Sequence, residues 1–185
     1  MSNPLIWKEE NKTCVYKCSI FNISERISNS PKNIPKTFTV LDANDWAIIV
    51  PVLDTDEGRQ FVMVRQWRHG TNELSLEFPG GVMEKGEDSA QAALRELKEE
   101  TGYEFGKITK LGEFGPNPAI MSNTVHFYLA EDLINIGTQN LDDDEYVNVE
   151  TVPWKEVFYG MGKAPYVHAL MGTAMALYLK HIKAD

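Results

Sequence analysis

Gly81-Val-Met-Glu-Lys-Gly-Glu-Asp-Ser-Ala-Gln-Ala-Ala-Leu-Arg-Glu-Leu-Lys-Glu-Glu-Thr-Gly-Tyr103 lies near the middle of the chain and carries helix signals at both ends. Asp88 can cap the N-terminus, with Gln91 three residues on in a capping-box pattern, and Gly102 suits a left-handed stop at the C-terminus. At about 100° per residue, Ala90, Ala93, Leu94, Leu97 and Thr101 share one stripe, while Glu96, Glu99 and Glu100 share another. Like charges at i, i+3 and i+4 destabilise an isolated helix by about a few tenths of a kcal/mol per pair. Crowding of that kind calls for a positive charge among the oxygens, and hard oxygen ligands suit magnesium or manganese. The alternative reading is an ordinary solvated acidic face.

Outward from this helix, strands and turns alternate. Trp46 to Leu53, a turn at Asp54 to Gly58 and Phe61 to Trp67 predict a hairpin, and Leu74 to Phe78 a short strand running into Pro79-Gly80-Gly81. Further strands are expected at Lys107 to Phe114, Thr124 to Ala130 and Tyr146 to Val152. A short helix is expected from Pro153 to Tyr159, and a last helix from Pro165 to Lys183. On the N-terminal side, Trp7 to Phe21 and Phe38 to Leu41 read as strands separated by a polar loop, Ser28 to Pro35. The expected organisation is an N-terminal strand extension, residues 1–42, and a main domain, residues 43–185. Mixed strands with few helices make the class α+β.

The chain has 185 residues, 43% hydrophobic and 24% charged, a globular composition and a one-domain length. Lys and Arg total 18 against 27 Asp and Glu, a net charge of -9 that argues against nucleic-acid binding through a basic surface. The excess is concentrated: Glu84 to Glu104 carries a net -4 and Glu131 to Glu150 a net -7. No apolar run approaches the ~20 residues of a membrane helix, so no membrane partner is expected. Met1 to Pro4 shows no basic head followed by an apolar stretch, and Cys14 and Cys18 read as free thiols, which together point to the cytoplasm.

Gly81, Glu87, Arg95-Glu96-Leu97, Glu99-Glu100 and Gly102-Tyr103 stand at the fixed positions of the Nudix box, and the chain resembles a Nudix hydrolase from about Ala43 to Ala184. That resemblance implies an α/β/α sandwich with a mixed sheet. It implies divalent metal, Mg2+ with Mn2+ as substitute, on Glu96, Glu100, the nearby Glu99 and the Gly80 carbonyl, with Glu87 and Arg95 as an ion pair that orients the loop. The implied reaction is hydrolysis of a pyrophosphate bond. An acidic protein repels a diphosphate, and bound cations supply the missing charge.

Arg65-Gln66-Trp67-Arg68 with Leu76 to Gly81, and Pro118 sixteen residues after Gly102, resemble the branch that acts on ADP-ribose and nucleotide sugars. The branch implies that Arg65, Arg68, Glu77 and Pro118 bind substrate. Against this, the arginines read equally as solvated strand residues, and Glu77 as a ligand of metal or of nucleotide. The acidic run Asp142 to Glu145 falls where the branch places a general base; Glu145 is the first choice, with Glu99 and Asp144 behind it. The branch also implies a homodimer that exchanges N-terminal strands. His69, His126, His168 and His181 are dispersed and receive no role. Competing readings keep the box but change the substrate to a dinucleotide polyphosphate, a nucleoside triphosphate or a cap-like structure, or make the protein a non-catalytic nucleotide-sugar sensor. A calcium-binding structural role fits poorly, because the carboxylates lie along a helix.

Overall fold

A computed structural model describes residues 3–141 and 145–183. The chain forms two compact units, one comprising the chain up to Asp45 with Gly115–Thr124, the other Trp46–Phe114 with the chain from Val125 on.

In the first unit, β1 (Lys8–Lys17), β2 (Phe21–Asn29) and β3 (Pro35–Ala43) form an antiparallel sheet in that order. The expected single strand from Trp7 to Phe21 is therefore two strands, and Phe21–Asn29, part of which was expected as loop, is paired along its whole length. The intervening turn holds no Gly, Pro, Asn or Asp that would announce it. It closes through Cys18, whose N–H and thiol both donate to the Phe21 carbonyl. Burial raises the Asp42 carboxyl, but bonds from Ser24, Lys12, Ser122 and Arg26 outweigh it and hold Asp42 well below the usual carboxylate range.

The second unit is built on β4 (Trp46–Thr55), β5 (Gly58–Arg68), β6 (Glu73–Glu77), β7 (Gly80–Val82), α1 (Ser89–Thr101), β8 (Tyr103–Glu104), β9 (Lys107–Phe114) and β10 (Val125–Glu131), followed by β11 (Ile134–Asn135), β12 (Asn148–Pro153), α2 (Trp154–Gly160) and α3 (Ala169–Ile182). Its sheet runs β12-β5-β4-β10-β9, with β6 on β5 and β7 on β4. β10 lies parallel to β4 and the other pairings are antiparallel, so the sheet is mixed.

Strand alternation sorts the core into two layers. Ala47 and Ile49 of β4 with Tyr128 and Ala130 of β10 pack against Ala92, Ala93 and Leu97 of α1. Ile48, Val50, Val52, Phe127 and Leu129 face the other way, with Met171, Ala174 and Tyr178 of α3 and Val157 of α2. Helices cover both faces, which makes the unit the expected α+β sandwich. The last helix starts at Ala169 rather than Pro165: the preceding residues form a turn in which Tyr166 is buried against Gly160 and the Pro165 carbonyl accepts from the Leu76 N–H. Among the described residues no helix is long and apolar enough to cross a membrane.

The ends of α1 are those the sequence announces. The Asp88 carboxylate accepts from the N–H groups of Ala90 and Gln91, and Gly102 takes a left-handed conformation at φ 68°. Asp88→Ala is expected to destabilise the protein by about 1 kcal/mol, measured by urea unfolding with an unchanged slope.

Candidate functional site

The site is assembled where α1 passes the Pro79-Gly80-Gly81 turn. Ile49 N–H donates to the Pro79 carbonyl, and Gly80 and Gly81 pair with Ile48 and Ala47. A Cβ on Gly80 would lie 2.9 Å from the Ile48 Cα, and one on Gly81 would lie 2.7 Å from the Glu96 carboxyl carbon. At Gly80 the clash is with backbone, so only glycine lets strand and turn approach this closely, whereas a side chain at Gly81 would displace the Glu96 carboxylate.

The acidic stripe is not a solvated face. Glu96 is 8% exposed and Glu100 3%. One Glu100 oxygen accepts from the Gly80 N–H at 2.9 Å. Arg95 binds both Glu87 oxygens, at 3.0 and 3.2 Å, and its Nη1 reaches Glu96 at 2.9 Å and Glu99 at 3.0 Å. Its Nη2 also donates to the Val82 carbonyl at 3.2 Å, so a single guanidinium ties the loop to the helix. The Arg95 bond holds Glu87 below the usual carboxylate range.

One arginine does not balance this cluster. Burial raises Glu96 to about 7, with Arg95 opposing and Glu99 and Glu145 adding to the shift. Burial likewise raises Glu100 to about 8, against the Gly80 N–H and with the help of Glu96 and Glu145. Glu145, although exposed, therefore stands close enough to act on both carboxyls. Among the described residues no three His, Cys, Asp or Glu side chains form a ready-made cage. An oxygen set that leaves several positions to water is what magnesium takes.

Arg65 and Arg68 are not simply solvated strand residues. Arg65 grips Glu150 through Nε and Nη2, the latter at 2.9 Å, and Arg68 grips Glu77 the same way at 2.9 and 2.7 Å. Glu77 is only 1% exposed; burial raises it, but Arg68 prevails and the carboxyl lies below its ordinary range. Arg65, Leu74, Leu141, Glu145 and Tyr146 line a cleft of ≈320 Å3. Pro118 belongs to the first unit, in a turn closed by the Met121 N–H on the Asn117 carbonyl at 2.8 Å. Asp142, Asp143 and Asp144 lie outside the described residues.

Sequence reasoning passed over two neighbours. Glu150 lies on β12 opposite β5, and only the sheet register brings it to Arg65. His168 Nδ1 is buried 3.6 Å from the Glu77 carboxylate, and burial lowers its pKa. No local spacing signals a contact between residues 77 and 168.

The model of the NUDIX domain matches residues 44–171. The chain belongs to the Nudix family. It is 43% identical over 99 residues to an ADP-ribose pyrophosphatase of Bacillus subtilis, covering 53% of each chain. It is 31% identical over 107 residues to the ADP compounds hydrolase NudE of Escherichia coli, covering 58% of this chain and 54% of that one. This Nudix chain thus spans about half the length of the curated relatives it matches. A crystal structure of an ADP compounds hydrolase superposes with a TM-score of 0.85 at 22% identity, covering 99% of this chain and 98% of that one, which establishes a shared fold.

The raised carboxyls make a signed prediction. A group whose folded pKa exceeds its unfolded value binds more protons when folded, so stability falls as pH rises between the two. For Glu96 and Glu100 that window runs from the ordinary glutamate value of 4.5 to about 7 and about 8. The lowered pKa of His168 contributes with the opposite sign. Without divalent metal, the melting temperature of the wild type is expected to fall relative to that of Glu100→Gln between pH 5 and pH 8; parallel curves would refute the assignment.

Proposed function

We propose that the chain is a divalent-cation-dependent pyrophosphohydrolase of ADP-ribose, or of a related nucleoside diphosphate sugar, releasing a nucleoside monophosphate and a sugar phosphate. The reading rests on two buried carboxylates, Glu96 and Glu100, held against the Gly80-Gly81 turn with one guanidinium among three helix glutamates. Surplus negative charge at that depth is stable with a cation beside it. The names of the relatives support the same substrate class.

Glu96, Glu100, Glu99 and the Gly80 carbonyl would hold Mg2+, with Mn2+ as substitute. When bound, the cation supplies the charge that lets an acidic surface accept a diphosphate and stabilises charge developing at phosphorus. Arg95 keeps Glu96 and Glu99 turned toward the loop. Glu145 takes the proton of the attacking water, with Glu99 next in line. Arg65 and Arg68 each spend their Nε and Nη2 edge on a carboxylate, and we assign their opposite, Nη1 edges to phosphate and ribose oxygens. Glu77 fixes Arg68 in that pose, and Pro118 is assigned to substrate on the family resemblance alone.

We further take the protein to be a cytoplasmic homodimer with exchanged N-terminal strands. Free thiols at Cys14 and Cys18 support the compartment. The dimer is supported by β1, exposed at all ten residues, and by the uncovered Leu5, Ile20, Val15 and Tyr16 in the same unit.

With magnesium and ADP-ribose, chromatography should show AMP and ribose 5-phosphate in equal amounts and no inorganic phosphate. Chelation should abolish turnover, and Glu100→Gln should lower kcat/KM by ~100-fold or more. Preference for a nucleoside triphosphate, or full activity of Glu100→Gln, would overturn the reading. Sedimentation is expected to give twice the chain mass; a single-chain mass would remove the dimer.

A further inference from the structure

The C-terminus of α1 is closed by a segment distant in sequence. A helix leaves its last four carbonyls without intrahelical partners. Here Gly102 N–H takes the Lys98 carbonyl at 2.9 Å and Asn140 N–H takes that of Glu99 at 2.9 Å. The Gln139 side-chain amide takes that of Glu100 at 2.6 Å. Ile136 N–H adds a bond to the Gly102 carbonyl at 2.9 Å. Residues 136–140 thus dock along the end of the helix that carries Glu96, Glu99 and Glu100.

Gln139 does more than complete the helix. Its amide nitrogen carries two protons, and the same nitrogen that donates to Glu100 also reaches the Val147 carbonyl at 3.4 Å. Val147 is buried, two residues beyond Glu145 and one before β12. We infer that Gln139 is a positioning residue, which sets the reach of Glu145 over the site by tying the helix of the metal-facing carboxylates to the strand entry behind Glu145. Its amide nitrogen donates to backbone carbonyls on both sides. The inference rests on the reading of Glu145 as the base.

Displacement of a reacting group by about 1 Å costs on the order of 100-fold in rate, so the role is visible in turnover. Leucine fills a similar volume without donors; glutamate keeps the shape but turns an acceptor toward two carbonyls; lysine restores a donor. With saturating magnesium and ADP-ribose, Gln139→Leu and Gln139→Glu are expected to lower kcat ~10- to 100-fold, with KM and the magnesium activation constant within about twofold of wild type, and Gln139→Lys to recover most of the loss. If the leucine protein melts too early to assay, the glutamate protein carries the same comparison.

The deciding measurement is a double-mutant cycle with Glu145→Gln. A residue acting through Glu145 costs nothing further once that carboxylate is gone, so the double variant should match Glu145→Gln within about twofold. Multiplying losses, or unchanged kcat in the Gln139 variants while Glu145→Gln is impaired, would overturn the positioning role and leave the base in place. Full turnover in Glu145→Gln would remove the base itself, and the role of Gln139 with it.

Discussion

Two carboxylates buried against a glycine turn are the constraint around which the second unit is arranged. Glu96 and Glu100 could be left in water by rotating α1, but Ala92, Ala93 and Leu97 pack on the sheet and fix its rotation. The carboxylates are then committed to the Gly80-Gly81 turn. Burial of that kind is unfavourable unless charge is balanced. Arg95 balances part of it, and Glu96 and Glu100 are nevertheless raised above the ordinary carboxylate range.

The fold meets this constraint through β4. Its two faces carry the two core layers, and its backbone receives the Gly80-Gly81 turn directly. Because β7 pairs with β4, the turn is held by the sheet's own hydrogen bonds. The carboxylates therefore meet backbone whose position is set by strand pairing.

What the sequence disclosed follows the range of the interactions. Asp88 and Gly102 act on neighbours a few residues away, and both ends of α1 were legible. The alternation in β4 and β5 was legible because each strand buries a full row of side chains. The Cys18 turn was missed because its bonds use a thiol and backbone groups rather than turn-forming residues. The glutamate stripe announced a cluster of carboxylates on one helix face, but its burial depends on β7 pairing with β4. The pairs Arg65–Glu150 and Arg68–Glu77 turn on register and rotamer, and residue types alone left their partners open.

The docking of residues 136–140 on the end of α1 separates two tasks in one chain. Backbone and amide bonds anchor the near end of the stretch that follows, and pairing of β12 with β5 anchors the far end. Glu145 stands between those two anchors. The end of the helix and the stretch that faces it are thereby held by separate sets of bonds.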